Sequence, residues 1–225
     1  MNTSEIIRQR IIDAGKTFNA NENISEFIKE GEMESLQVEL ESKMLEVLRT
    51  MVIDTDNDHN TKDTAKRVSK MYLKEVFHGR YVKQPKITDF PNAKHLDEIY
   101  TIGPITIRSA CSHHMVPILG QCWIGVLPSE RVIGISKFVR LLEWIASRPH
   151  IQEEMSVMLA DELESLINPI GLAVVIKAQH MCMTWRGVKE NQTSMVNSIM
   201  RGVFKEDEGA RKEFFDIIAA QGFSR

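Results

Sequence analysis

The sequence predicts an α+β fold, in which N-terminal helices precede an antiparallel four-stranded sheet with two helices on one face. Two observations predict it. Apolar residues recur at helical spacing to about residue 90, whereas short alternating runs of apolar and polar residues begin only beyond it. The later elements follow the order strand, strand, helix, helix, strand, strand, which is typical of α+β domains. We therefore predict an N-terminal helical region over residues 1–92 and a sheet-containing domain over 93–225.

The N-terminal region has two predicted helices and a weaker third. Apolar residues at helical spacing mark the first of them, at Leu40, Met44, Val47, Leu48 and Met51. A second amphipathic run covers residues 64–77. Isoleucines at positions 6, 7, 11 and 12 suggest a further helix, which the Asn-rich segment 19–23 interrupts. We expect these helices to form an arm that precedes the sheet.

Alternating patterns predict the four strands. Residues 99–108 predict the first strand, with its end near Arg108, and residues 118–127 predict its antiparallel partner. Residues 172–179 predict the third strand and residues 194–204 the fourth.

Two helices are predicted between the strand pairs. Residues 136–146 form the shorter one, and residues 151–167 form a longer one with a single apolar face. Asn168-Pro169 ends the longer helix. A last helix is predicted over residues 207–219.

The composition narrows the classes of function. A net charge of −3 and the lack of a basic stripe with aromatic residues disfavour nucleic acid as a partner. No stretch approaches the roughly 18 apolar residues of a membrane span, and the first residues lack the apolar core of a signal peptide. Three cysteines are too few for the disulfide framework of a small secreted domain. We expect a soluble, cytoplasmic protein with no nucleic acid and no membrane among its partners.

Cysteine and histidine residues concentrate in two short segments. Cys111 and His114 have the two-residue gap that lets one bend present both side chains to a zinc ion. His180 and Cys182 lie two apart at the end of the third predicted strand, so both project to the same side. Cys111, His114 and Cys182 thus form a Cys2His set that leaves a fourth position for water, as in hydrolytic zinc sites.

The two remaining imidazoles are candidates for proton transfer. His113 lies beside one predicted ligand and His180 lies two residues from another, and an ordinary imidazole has a pKa of about 6.5. His113 is our first candidate for the general acid. Two other interpretations stay open: the thiols could be buried packing groups, as we expect for Cys122, or His180 could be a fourth ligand of a structural zinc site.

A cationic cluster forms the second candidate site. Lys137 and Arg140 lie three apart at a predicted helix start, where free backbone donors favour an anion, and Arg186 follows the second Cys/His segment. Together they could hold a triphosphate, although each alone is as common on a solvated surface. Glu153 begins the long helix. Its carboxylate either complements the helix dipole or accepts two hydrogen bonds from the N–H groups of guanine.

Taken in order, these motifs resemble the GTP cyclohydrolase I family over residues 40–215. The residues that carry the resemblance are Cys111-Ser112-His113-His114, Gly120, Gly134-Ile135-Ser136-Lys137, Arg148-Pro149, Gln152-Glu153, His180-Met181-Cys182, Arg186-Gly187 and Gly202-Val203-Phe204. Such a series in one order is highly specific. Residues 64–68 also resemble a family element, which usually has Pro after its Thr.

The resemblance implies a fold, an activity and a set of site residues. The fold is the tunnelling fold, assembled as a homodecamer with active sites between subunits. The activity is zinc-dependent hydrolysis of GTP to 7,8-dihydroneopterin triphosphate, with C8 of guanine released as formate. The zinc ligands of the family correspond to Cys111, His114 and Cys182, and its catalytic imidazoles to His113 and His180. Its substrate contacts correspond to Ser136, Lys137, Arg140, Gln152, Glu153 and Arg186.

Ser112 departs from the family pattern, which commonly has an acidic residue there. A carboxylate would raise the basicity of the neighbouring imidazoles, so its loss concerns proton transfer more than metal binding. Two related groups of tunnelling-fold enzymes fit the motifs less well. The pyruvoyltetrahydropterin synthase relatives use three His ligands, and the nitrile reductases of deazaguanine synthesis use a catalytic thiol without zinc.

Overall fold

The computed structural model describes residues 2–224, which form two compact units. The first unit ends at Lys83 and the second begins at Gln84. The domain boundary that we place after residue 92 from the sequence stays a prediction. Within the described residues, no helix is both long enough and apolar enough to cross a membrane.

The first unit is helical, in line with the spacing of its apolar residues. Its elements are α1 (Thr3–Asp13), a 3-10 turn (Ser25–Phe27), α2 (Glu32–Thr50), α3 (Thr64–Lys70), which continues into a π-helical turn (Met71–Val76), and α4 (His78–Tyr81). Ile7 and Ile11, one turn apart on α1, are buried together with Ile24. The guanidinium of Arg10 donates to both carboxylate oxygens of Glu32 at 2.6 Å. This apolar cluster and ion pair fasten α1 to α2.

The second unit contains both strands and helices. Its strands are β1 (Asp89–Pro91), β2 (Tyr100–Cys111), β3 (Pro117–Leu127), β4 (Arg131–Ile133), β5 (Pro149–His150), β6 (Gly171–His180) and β7 (Met195–Gly202). Its helices are α5 (Ile135–Ala146), α6 (Gln152–Ile167), α7 (Met181–Thr184), α8 (Val203–Glu206) and α9 (Glu208–Ala220). The α+β class predicted from the sequence is therefore confirmed.

The main sheet has five strands rather than the predicted four, in the order β5-β2-β3-β6-β7. Four of them pair antiparallel, and β5 adds a parallel edge in which His150 lies opposite Cys111. Two residues are too few for a periodic pattern, so the sequence does not reveal β5. Moreover, β2 runs to Cys111 rather than ending near Arg108, because Ser109 and Ala110 still pair with β3. β1 and β4 form a separate two-stranded sheet.

Helices pack on both faces of the main sheet. On one face, α5 and α6 cover residues such as Ile124 and Val174, as the predicted pair of helices would. On the other face, Trp123 and Val175 pack against Phe214 of α9. This second layer explains why β6 is buried on both sides, with Leu172 through Ile176 at most 1% exposed. The prediction of helices on one face is thus incomplete, because it leaves α9 without a place.

Candidate metal centre and active site

Strand pairing brings the two Cys/His segments together at one end of the sheet. β3 lies between β2 and β6, and its first residues pair with the last residues of both. Ile118 lies opposite His180 of β6, while Pro117 lies opposite Ala110 of β2. Cys111 and His180 are therefore the last residues of the two strands that flank β3, and they lie at the same end of the sheet. The turn after β2 then carries His114, and α7 carries Cys182.

Cys111, His114 and Cys182 form the candidate metal cluster, three side chains whose possible ligand atoms all lie within 4.8 Å of one another. The Cys111 Sγ atom is 3.8 Å from Nδ1 of His114 and accepts the backbone N–H of His114 at 3.3 Å. In a tetrahedral zinc site, sulfur at about 2.3 Å and nitrogen at about 2.0–2.1 Å from the metal lie about 3.5–3.6 Å apart, and two sulfurs lie about 3.8 Å apart. The three side chains therefore fit a small thiophilic ion with little movement.

The two thiols differ in exposure, and the three cysteines of the chain are all free. Cys111 is 4% exposed, and Cys182 is partly exposed. Burial, and then the neighbouring Cys111 sulfur, raise the pKa of the Cys182 thiol. A metal ion reverses this balance, because it binds the thiolate and releases the proton.

Arg186 reaches the same cluster from the segment after α7. Its guanidinium donates to Nε2 of His114 at 2.8 Å. Because a guanidinium never accepts, Nε2 must accept here, and the ring proton sits on Nδ1 beside the Cys111 sulfur. The predicted anion-binding residue Arg186 thus lies at the metal cluster.

His180 lies at the end of β6 with one ring nitrogen anchored. Its Nε2 atom is 2.9 Å from Oε1 of Gln152, the first residue of α6. Burial lowers the pKa of His180, and the charge of Glu153 opposes that effect. The amide of Gln152 is 0% exposed and is fully engaged inside the chain. Its predicted contact with substrate stays a prediction, and such a contact would have to use the backbone.

His113 and Glu153 are exposed, and each is close to a histidine of this region. The ring of His113 meets the ring of His114 edge to face, with centroids 6.4 Å apart. Glu153 occupies the first turn of α6, next to Gln152. Both side chains are accessible to solvent.

The remaining predicted substrate-binding residues lie on α5. Ser136, Lys137 and Arg140 belong to the first half of α5, and the last turn of α5 leads directly into β5 beside Cys111. A helix of this length spans about 18 Å at 1.5 Å per residue. The start of α5 is therefore well separated from the metal cluster of its own chain. The Lys137 amine instead donates to the backbone oxygen of Lys86 at 3.4 Å.

Two polar residues of this region escape the sequence reasoning. Asn197 of β7 and Ser156 of α6 join Gln152 in one hydrogen-bonded group behind His180. A signal exists for each. Asn is depleted in strands, yet Asn197 interrupts an apolar one, and Ser156 follows Gln152 by four residues on the buried face of a helix.

Comparisons with known proteins agree with the motifs. The family model of GTP cyclohydrolase I matches residues 40–219. GTP cyclohydrolase 1 of Edwardsiella ictaluri (strain 93-146) is 35% identical over 183 residues, which cover 81% of this chain and 83% of that protein. GTP cyclohydrolase 1 of Flavobacterium johnsoniae is 35% identical over 198 residues, covering 88% and 86%.

Among solved structures, the apo form of the archaeosine synthase QueF-Like aligns with a TM-score of 0.37 and 15% identity. The alignment covers 53% of this chain and 97% of that one. A likeness this slight supports no functional statement, so the assignment rests on the sequence comparisons. By the family match and the extent of these relatives, the chain belongs to the GTP cyclohydrolase I family of enzymes.

Proposed function

We propose that this protein is a zinc-dependent GTP cyclohydrolase that converts GTP and water into 7,8-dihydroneopterin triphosphate and formate, the first step of pterin, folate or deazaguanine synthesis. One observation carries the proposal: Cys111, His114 and Cys182, from separate elements, converge within 4.8 Å. Family membership supports the choice of GTP as substrate.

Zinc is the metal that suits this donor set. Two sulfurs and one imidazole are ligands that zinc prefers, and three protein ligands leave a position for water. The chemistry that zinc supplies when bound is activation of water for hydrolysis at neutral pH. Metal binding through Nδ1 of His114 would move the ring proton to Nε2. Arg186 could then no longer donate to Nε2, and its guanidinium would be available to a phosphate.

The surrounding side chains supply recognition and proton transfer. Glu153 is exposed in the first turn of α6, where its carboxylate can accept hydrogen bonds from the ring and exocyclic N–H groups of guanine. His113, next to the predicted ligand His114, would protonate the imidazole nitrogen of the purine as the ring opens. His180 serves the later proton transfers that rebuild the pterin ring.

The triphosphate site requires a second copy of the chain. Ser136 and Lys137 lie in the first turn of α5, about 14–15 Å along the helix axis from its last residue, and Arg140 lies about one turn after them. These three residues would thus contact a substrate at the metal cluster of a neighbouring subunit. We therefore propose a homo-oligomer of the tunnelling fold, a homodecamer, whose active sites lie between subunits. A location in the cytoplasm stays a prediction.

The activity is tested with purified, zinc-loaded protein and GTP. We expect one formate and one pterin product for each GTP consumed, and no product from ATP, which lacks the N–H pair that Glu153 would bind. His113→Ala should keep its zinc and lose turnover by about 10²–10⁴-fold, the range typical of a general acid. Intact GTP after long incubation with the zinc-loaded protein would rule out the proposed reaction.

Sites shared between subunits are tested by complementation. Cys182→Ala and Lys137→Ala chains, each expected to be inactive alone, are co-expressed so that they assemble together. Some mixed sites then contain an intact metal cluster and an intact cationic helix start, and turnover should return. No recovery in assemblies shown by mass to be mixed would contradict a shared site.

A further inference from the structure

A buried polar group stands behind His180. It consists of Gln152, Ser156 and Asn197, from two elements that pack on the strand carrying His180. Gln152 and Ser156 are both 0% exposed. Buried polar side chains persist when their hydrogen bonds are satisfied, and such a group then fixes the orientation of each member.

Fixed backbone oxygens set the orientation of the Gln152 amide. Its Nε2 atom lies 3.1 Å from the carbonyl oxygen of Ile176 and 3.2 Å from that of Met195. Backbone carbonyls only accept, so the NH2 group must face them. The opposite orientation would set oxygen against oxygen in a buried site. The amide oxygen is therefore directed at His180.

Asn197 completes this arrangement from β7. Its Oδ1 atom accepts from Gln152 Nε2 at 2.7 Å, the shortest of the three contacts made by that nitrogen. Its Nδ2 atom donates to the hydroxyl of Ser156 at 2.8 Å, and that hydroxyl donates to the backbone oxygen of Gln152 at 2.9 Å. Every donor in this chain of bonds meets an acceptor. Rotation of the Asn197 amide would oppose two NH2 groups.

The orientation of the amide determines which nitrogen of His180 carries the proton. Gln152 Oε1 has no hydrogen to give, so His180 Nε2 must donate across the 2.9 Å contact. A neutral imidazole with its proton on Nε2 has its lone pair on Nδ1. Within the described residues, Nδ1 has no hydrogen-bond partner. The ring thus presents its Nδ1 lone pair to whatever occupies the site.

We propose that Asn197 and Ser156 are positioning residues, which act through Gln152 to hold His180 as the Nε2–H tautomer with Nδ1 as the proton acceptor. The assignment of His180 to the reaction rests on the proposed function, but the tautomer does not. In the proposed proton transfer, a substrate proton moves to Nδ1 of His180, and the resulting Nδ1–H later returns it to the substrate. The Nε2–H group of His180 keeps its hydrogen bond to the amide oxygen of Gln152 throughout.

The tautomer is measured directly by magic-angle-spinning NMR of zinc-loaded, sedimented protein with ¹⁵N-labelled histidine. At about pH 8.5, above the ordinary imidazole pKa of about 6.5, neutral rings report protonated and unprotonated nitrogens separately. The His180→Gln spectrum identifies the His180 signals by their loss. We expect a protonated Nε2 and an unprotonated Nδ1, and a protonated Nδ1 in the wild-type protein would overturn the proposal.

The kinetic test uses Asn197→Leu, which removes both polar groups but keeps the branched outline of the side chain, and Asn197→Asp, which retains an acceptor for Gln152. We expect kcat for Asn197→Leu to fall about tenfold with KM within about twofold, as for other residues that orient a functional side chain. Asn197→Asp should stay within about threefold of wild type. Ser198→Ala, on the exposed side of the same strand, is the control and should match wild type.

Failure of this proposal is distinguishable from failure of the proposed function. Wild-type kcat in Asn197→Leu with a full zinc content would overturn the positioning role. If Asn197→Leu does not fold, Ser156→Ala and the wild-type NMR spectrum still decide the question. A protein that leaves GTP intact yet shows the Nε2–H tautomer would refute the reaction and support the arrangement of the side chains.

Discussion

Different interactions stabilise the two units of this protein. The second unit buries apolar residues on both faces of its sheet, with residues such as Trp123 and Phe214 fully inaccessible. The first unit has a small apolar cluster around Ile7 and Ile11 and relies on polar contacts that join distant segments. Arg80, for example, donates to backbone oxygens across residues 18–22. Burial leaves a periodic trace in a sequence, and contacts of this polar kind do not.

The largest expected effect concerns the metal cluster, which lies wholly in the second unit. Cys182→Ala should lose zinc and reduce turnover at least about 100-fold, because two protein ligands hold zinc poorly. Hydrogen exchange in α1 and α2 should not change. Metal analysis and GTP turnover measure the effect.

Cys122→Ala is the matched control for that substitution. Cys122 is 0% exposed in the middle of β3, and burial raises the pKa of its thiol, so it is a packing residue. The variant should retain zinc while losing some stability. Full zinc in Cys182→Ala would refute the ligand assignment.

Removal of a buried side chain should lower the free energy of unfolding by different amounts in the two units. Phe214→Ala removes a fully buried ring between α9 and the sheet and should cost about 3–5 kcal/mol of unfolding free energy. Ile11→Ala, in the small cluster of the first unit, should cost about 2 kcal/mol, at the lower end for such substitutions. Urea titration followed by hydrogen exchange would assign each loss to its unit. Equal losses would contradict the contrast between the units.

Acid should loosen the first unit. Hydrogen bonding to Arg10 lowers the pKa of Glu32 from 4.5 to about 2. A lowered folded-state pKa means that the contribution of Glu32 is present above about pH 4.5 and is lost as the pH falls toward about 2. Protection factors of the α1 amides should fall across this interval.

Glu32→Gln should remove the part of that pH dependence that comes from Glu32, because an amide does not titrate in this range. Glu39, which accepts two hydrogen bonds from Ser4 of α1 and also has a lowered pKa, should keep its own part. Glu30→Gln, an exposed neighbour of Glu32, serves as the control and should keep the whole pH dependence. A wild-type α1 whose protection is constant from about pH 5 to pH 2 would show that the Arg10 contact does not hold the helix.

The sequence predicts the second unit well where burial dictates the pattern. β3 and α6 each begin and end within a residue of their expected limits, because long apolar runs on a strand or helix face have a clear period. The two-residue β5 and the packing side of α9 escape prediction. β5 depends on one stretch of pairing beside Cys111, and α9 on the aromatic contact of Phe214 with the far face of the sheet.

The sequence predicts the residue types of the site, but it does not predict which of these residues lie close together. Cys111, His114 and Cys182 stand out because soft ligands are rare and clustered, and the antiparallel partners of β3 bring them together. No local pattern reveals that the start of α5 lies far from them. The contact between Gln152 and Asn197 joins residues 45 apart in the chain, and it follows only from the packing of α6 on β7.

The smallest expected effect lies at the end of α2. Val52 has a left-handed backbone, with φ 60°, and is 91% exposed. The backbone N–H groups of Val52 and Ile53 close the helix onto the carbonyls of Arg49 and Leu48, a geometry that favours glycine. Relief of left-handed strain, about 1–2 kcal/mol, should exceed the added entropy of the unfolded chain, about 0.5–1 kcal/mol. Val52→Gly should thus stabilise the first unit by up to about 1 kcal/mol.

Asn168→Gly, at the left-handed end of α6, should change stability less, because Asn tolerates this backbone. Destabilisation by Val52→Gly in urea titration would mean that the exposed valine makes a stabilising contact.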